Sequence, residues 1–141
     1  MSAYAEVPYP VANAGQIRVL IPELVGAELV EVQIGKVVNV DCNAFAIAGG
    51  ALSVQSLDGW GYNYYTYGNQ QEKILSRGRV ACPHLDRFVV AKFEPVPGTG
   101  FVGDHFFIRN SAYEKAFYVP TGYQVQFRAW APTGELHQAR P

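Results

Sequence analysis

Tyr123-Gln124-Val125-Gln126-Phe127-Arg128-Ala129-Trp130 alternates residue by residue. Tyr123, Val125, Phe127 and Ala129 fall on one side, and Gln124, Gln126, Arg128 and Trp130 on the other. A period of two marks a half-buried strand, because successive side chains of extended backbone point to opposite faces. Similar runs occupy Ala27–Ile34, Lys36–Cys42, Leu52–Leu57, Arg87–Phe93, His105–Arg109 and Lys115–Val119. No segment sustains a 3.6-residue stripe, and Gln70–Leu75 reads as at most a turn of helix. Val, Tyr and Phe are abundant, and 14 Gly with 9 Pro punctuate the chain at short intervals. Short strands at even spacing predict an all-β protein, an antiparallel β-sandwich or a closed barrel. Pro8-Tyr9-Pro10 and the segment after Trp130 read as terminal arms.

With no internal repeat or linker, the 141 residues (1–141) are expected to form a single domain, large enough to bury a core. Hydrophobic residues make up 49% and charged residues 16%, which excludes a disordered chain. A net charge of −1 argues against nucleic-acid binding, whose electrostatic footprint is basic. No apolar run approaches the ~20 residues of a helical membrane span, so no membrane partner is expected. The start, Met1-Ser2-Ala3-Tyr4-Ala5-Glu6, has neither a basic nor an apolar signal region. The expectation is therefore a cytoplasmic protein as encoded, or one whose leader has been removed.

Catalysis finds no candidate. His84, His105 and His137 are scattered without the close spacing of a metal site, so no metal or other cofactor is expected. No serine sits in a G-x-S-x-G elbow. Gly98-Thr99-Gly100-Phe101-Val102-Gly103 fits a dinucleotide fingerprint by spacing but is rejected. Pro95 and Pro97 precede it, a strand-like His105-Phe106-Phe107-Ile108 follows, and the acid expected some 20 residues on is missing. It reads as a glycine-rich hairpin loop. Cys42 and Cys82 are too few and too far apart for a zinc ribbon or a redox pair. Two free thiols and one disulfide both remain open; a disulfide would be worth roughly 4 kcal/mol through loop-closure entropy.

Two stretches stand out. Trp60-Gly61-Tyr62-Asn63-Tyr64-Tyr65-Thr66-Tyr67-Gly68 places Trp60, Tyr62 and Tyr64 on one face and Asn63, Tyr65 and Tyr67 on the other. Aromatics on both faces put at least one set at a surface, as a protein contact or a sugar-stacking platform; core packing is the plain alternative. Leu75-Ser76-Arg77-Gly78-Arg79-Val80-Ala81-Cys82-Pro83 sets arginines on a polar loop beside a cysteine. Lys73, Arg77 and Arg79 form a small basic cluster, by default a solvated loop. The glycine between the arginines favours extended or sharply turned backbone, which a peptidase cleft accepts. In a trypsin-like pocket a buried aspartate would meet the guanidinium, and Arg79 is the residue expected to enter. If the Arg79–Val80 bond were cut, a disulfide at Cys82 would keep the new amine tethered, so that religation competes with hydrolysis.

Taken together these residues resemble the ecotin family, inhibitors of chymotrypsin-fold serine peptidases whose protozoan branch is called inhibitor of serine peptidase. The matching pieces run in family order over nearly the whole chain. They are Pro8-Tyr9-Pro10, Ile34-Gly35, Val40-Asp41-Cys42-Asn43, Gly49-Gly50, Leu57-Asp58-Gly59-Trp60-Gly61-Tyr62, Ala81-Cys82-Pro83, Asn110-Ser111, Tyr118-Val119-Pro120 and Arg128-Ala129-Trp130. The resemblance implies a jelly-roll-like β-barrel and a Cys42–Cys82 disulfide. It implies a reactive loop of Arg77, Gly78, Arg79, Val80 and Ala81, with Arg79 as the primary specificity residue and Arg79–Val80 as the scissile bond. A supporting loop maps to Asn43, Ala44, Phe45 and Ala46. A secondary peptidase contact maps to Trp60, Gly61, Tyr62 and Asn63 and to Ile108, Arg109, Asn110, Ser111, Ala112 and Tyr113. Bacterial members also build a homodimer through the terminal strand.

Three departures from the family pattern shape the expectation. Bacterial members commonly carry methionine where Arg79 stands, so arginine should narrow the targets from elastase- and chymotrypsin-like peptidases to trypsin-like ones. Pro132 and Gly134 interrupt the terminal arm, which works against strand pairing between copies. The lack of a visible signal fits the protozoan members better. A jelly-roll glycan-binding module using Trp60, Tyr62 and Tyr64 is the alternative function.

Overall fold

A computed structural model describes residues 7–94, 100–102 and 105–141, the tripeptide at 100–102 by its backbone. Eleven strands build the described part: β1 Gln16–Ile21, β2 Leu29–Val40, β3 Ala44–Ala48, β4 Ala51–Leu57, β5 Tyr62–Gly68, β6 Lys73–Arg77, β7 Leu85–Val90, β8 Gly100–Val102, β9 His105–Arg109, β10 Lys115–Pro120 and β11 Gln124–Trp130. The all-β expectation holds, and the sheets are open, not closed into a barrel. One sheet runs β1-β10-β5-β4, and the other β11-β2-β9-β8 with β7 also on β2. A small two-stranded sheet pairs β3 with β6. Pairing is antiparallel throughout except for β10 with β5.

The core lies between the two larger sheets. Val30, Val32 and Ile34 of β2 and Phe106 and Ile108 of β9 meet Leu52, Tyr65, Tyr67, Phe117 and Val119 from the opposite sheet. Aromatic rings bridge the layers, Phe106 lying 6.2 Å from Phe117, which itself stacks on Tyr65 at 4.7 Å. Burial pushes the Tyr65 hydroxyl up to about 12, because its ionised form would lose water without gaining a cation.

Two sequence runs, Ala27–Ile34 and Lys36–Cys42, prove to be one strand. Gly35 is the reason: a Cβ there would lie 2.2 Å from the Val89 carbonyl oxygen, so only glycine lets β7 approach. At Gly35 the strand changes neighbours, from β9 alongside Leu29–Val32 to β7 alongside Gly35–Val40. Strand β10 is buried on both faces. Phe117 and Val119 enter the main core, while Ala116 and Tyr118 pack beneath Tyr9 of the N-terminal arm. The arm is pinned by bonds from the Tyr9 hydroxyl to the Glu114 carbonyl (2.6 Å) and from Tyr118 to the Pro10 carbonyl (2.5 Å).

Three local expectations are corrected. Gln70–Leu75 contains no helical turn; β6 begins at Lys73, and its pairing with β3 supplies the backbone hydrogen bonds a helix would have made. Ala44, Phe45 and Ala46 are the start of β3, not loop. Gly100–Val102 forms β8 against β9, while the rest of the glycine-rich run, Gly98, Thr99 and Gly103, lies outside the described residues.

Candidate functional site

Every residue from Gln71 to Ala81 is exposed; among the described residues the other long exposed stretch is the C-terminal segment. The ladder between β3 and β6 supports this segment up to Ala44 opposite Arg77. There it stops, because Gly78 turns with φ of +112°, a conformation that side chains rarely adopt. A Cβ at Gly78 would also stand 2.6 Å from Asn43 Oδ1. The glycine seen between the two arginines is thus required twice over.

Beyond the turn, the side chain of Asn43 replaces the ladder. Its Oδ1 accepts from the Val80 N–H at 3.0 Å, and its Nδ2 donates to the Val80 carbonyl at 3.0 Å. Asp41 fixes which way the amide points. Its Oδ1 accepts from Asn43 Nδ2 at 2.9 Å and from the Asn43 backbone N–H at 3.0 Å; an ionised carboxylate can only accept, so the nitrogen must face it. Those bonds from Asn43, backbone first, hold the Asp41 carboxyl below its ordinary range. A Cys42–Cys82 disulfide ties the two sides of the arrangement, with Cα atoms 6.1 Å apart. Arg77 and Arg79 form no ion pair among the described residues, and Val80 is 63% exposed.

Residues 60–63 and 108–113 are brought together only in part. Tyr62 and Tyr113, distant in sequence, stack with ring centroids 3.8 Å apart, and Trp60 leans on Tyr62 at 5.7 Å. Trp60 stays 41% exposed at the turn between β4 and β5. Arg109 and Ala112 point outward. Ile108 does not: alternation along β9 sends it inward with Phe106, and at 2% exposure it belongs to the core. Asn110 is turned to internal work, donating to the Leu24 and Ala27 carbonyls at 2.6 and 2.9 Å. As a sugar platform, Trp60, Tyr62 and Tyr64 fail on geometry. Tyr62 has Tyr113 on its face, and Tyr64 is packed by Tyr9 and Tyr118 at 6.1 and 5.5 Å.

Sequence reasoning missed three polar anchors. Lys115 is buried, and its ammonium donates to Asn110 Oδ1 and to the Ser111 and Tyr113 carbonyls at 3.4, 3.3 and 3.2 Å, shaping the loop before β10. Burial lowers its pKa. Glu31 is buried on the outer face of β2 and accepts from Arg128, Trp130 and His105. Burial opposes its ionisation, yet those donors outweigh it and hold the carboxyl below its ordinary range. Arg87 caps two carbonyls of the Asp41–Asn43 segment. The first two were visible only as charges inside otherwise apolar strands; Arg87 gave no signal.

A braced, solvent-exposed loop on a rigid β scaffold, with a stacked aromatic patch elsewhere, defines a protein that presents surfaces to another protein. The ecotin family model matches residues 5–132, and the chain belongs to that family, whose members inhibit serine peptidases. It is 34% identical over 139 residues to ecotin from Pseudomonas putida (strain W619), covering 94% of this chain and 80% of the relative. It is also 34% identical over 135 residues to an ecotin-like protein from Methylobacillus flagellatus, covering 93% and 78%.

Proposed function

We propose that this protein inhibits trypsin-like serine peptidases by offering Arg79–Val80 as a substrate-like bond. The observation that carries the reading is the double hydrogen bond from Asn43 to Val80. It fixes the backbone on the leaving side of that bond while leaving Arg79 free to enter a pocket. Among the described residues the guanidinium has no ion-pair partner to give up, so its pairing with a pocket carboxylate is not offset by a broken ion pair. Ordering the loop beforehand lowers the entropic cost of binding. Elastase-like and chymotrypsin-like pockets would bury the same charge without a partner and are disfavoured.

The patch of Trp60, Tyr62, Arg109, Ala112 and Tyr113 provides a second contact. Among the described residues strand β11 has β2 as its one neighbour in the sheet, and Leu29, Phe127 and Trp130 remain exposed near it. A second copy docking along this edge would let one peptidase be gripped through two patches, raising effective concentration. Parallel titration of active-site-calibrated trypsin and elastase, with and without reductant, tests the reading. Stoichiometric inhibition of trypsin, weak inhibition of elastase and a loss on reduction are expected. Equal action on both enzymes would contradict the assignment of Arg79.

A further inference from the structure

Arg87 stands on β7 opposite Val38 of β2 and is half-buried. A single nitrogen, Nη1, donates to the Asp41 carbonyl at 2.5 Å and to the Asn43 carbonyl at 2.8 Å. These carbonyls flank Cys42, which carries the disulfide. We propose that Arg87 is a positioning residue of the inhibitory loop: it fixes Asp41–Asn43 so that Asn43 holds the nitrogen of the scissile bond both before and after cleavage. The proposal rests on reading Arg79–Val80 as the bond presented to the peptidase.

The chemistry shows why this matters. The peptidase serine attacks the Arg79 carbonyl carbon, an ester forms, and the C–N bond to Val80 breaks. The leaving nitrogen takes the proton that the catalytic histidine removed from the serine. The new amine has two N–H bonds and a lone pair. One N–H stays on Asn43 Oδ1, as the Val80 amide N–H does at 3.0 Å in the intact loop, and the lone pair remains free for the ester. Religation reverses the step: the amine attacks the ester, and its surplus proton returns through histidine to the serine oxygen. Water competes for the same ester, and an amine held in place gains by proximity and orientation. The disulfide keeps the amine nearby, but Val80 and Ala81 leave slack between Cys82 and the cut. Asn43 supplies the aim, and Arg87 holds Asn43.

Because one nitrogen serves both carbonyls, a lysine ammonium can replace it, whereas a methionine of similar reach cannot donate. The test follows the full-length, oxidised protein with catalytic amounts of trypsin, scoring chain cut after Arg79 by mass spectrometry under reducing conditions. Arg87→Met is expected to speed net hydrolysis by about tenfold, through loss of two charge-assisted bonds. Arg87→Lys is expected to stay within about threefold of the parent. Val89→Ala, which opens a cavity on the same strand, controls for stability, with melting temperatures recorded for all three variants. The proposal is overturned if Arg87→Met is cut no faster than the parent, if Arg87→Lys behaves like Arg87→Met, or if Val89→Ala at similar melting temperature is cut equally fast. A parent that fails to inhibit trypsin, or is cut elsewhere, overturns the loop assignment and this proposal with it.

Discussion

Asn43 does with a side chain what a neighbouring strand does with its backbone. Its amide presents one acceptor and one donor to Val80, and Asp41 sets their order. Replacing Asn43 with alanine should cost about 1–2 kcal/mol of loop order and raise the rate of cleavage after Arg79, a change mass spectrometry will register. The Asp41 carboxyl adds a pH dependence whose sign is fixed. Its pKa is lowered on folding, so its contribution is present above the ordinary carboxylate pKa and is lost as pH falls through the folded value. Protection of the Val80 amide against exchange, taken relative to the intrinsic rate at each pH, should therefore be flat from neutrality down to about pH 4 and fall below it. Asp41→Asn should remove that acid limb; an unchanged limb would place the titrating group elsewhere. Arg79 drew attention in the sequence as an arginine on a polar loop, whereas Asn43 was named only through the family resemblance, as part of a supporting loop. Lys115 and Arg87 were not legible, since most of their partners are backbone carbonyls, which leave no mark on a sequence.

Strands were readable where their residue types alternate. β9 was found residue for residue, because the core enforces its period of two through Phe106 and Ile108. β11 was found nearly so from its alternating residue types, although all of its residues but Val125 are exposed. All five residues of β6 are exposed, so nothing imposes alternation on Lys73–Arg77, and it read as a turn of helix. β3 was hidden for a related reason: a short run dominated by small alanines between Asn43 and the Gly49-Gly50 pair resembles a loop. The aromatic segment was half legible. Tyr65 and Tyr67 fill the core, whereas the partners of Tyr62 and Tyr64 come from the arm and from the Asn110–Glu114 turn, too distant in sequence to foresee. Removing the Tyr113 ring should cost about 0.5–1.5 kcal/mol of stacking beyond lost area. It should weaken peptidase affinity while leaving the cleavage rate in the complex unchanged. A faster cut in Tyr113→Ala would couple the patch to the loop and contradict their independence.

Across the whole molecule, two open sheets form the main body and leave the exposed segment from Gln71 to Ala81 on a small annex of β3 and β6. The annex is joined to the larger sheet by the bridge between Ile47 and Ala91 and by the bond from Lys92 N–H to the Ile47 carbonyl. At another edge, Glu31 anchors the outer strand through Arg128 and Trp130. If copies meet along that edge, sedimentation should show a dimer that Trp130→Asp converts to monomer, with trypsin affinity reduced but not lost. A parent that sediments as a monomer at all concentrations would remove the two-patch grip.

The central claim is that Arg79, and not its neighbour, enters the peptidase. Titration of calibrated trypsin against Arg79→Asp and Arg77→Asp tests it most directly. Arg79→Asp should weaken inhibition by at least about a thousandfold, as expected for a buried charged anchor, while Arg77→Asp should cost about tenfold or less. Equal losses at the two positions, or a larger loss at Arg77, would contradict the assignment of Arg79–Val80 as the presented bond.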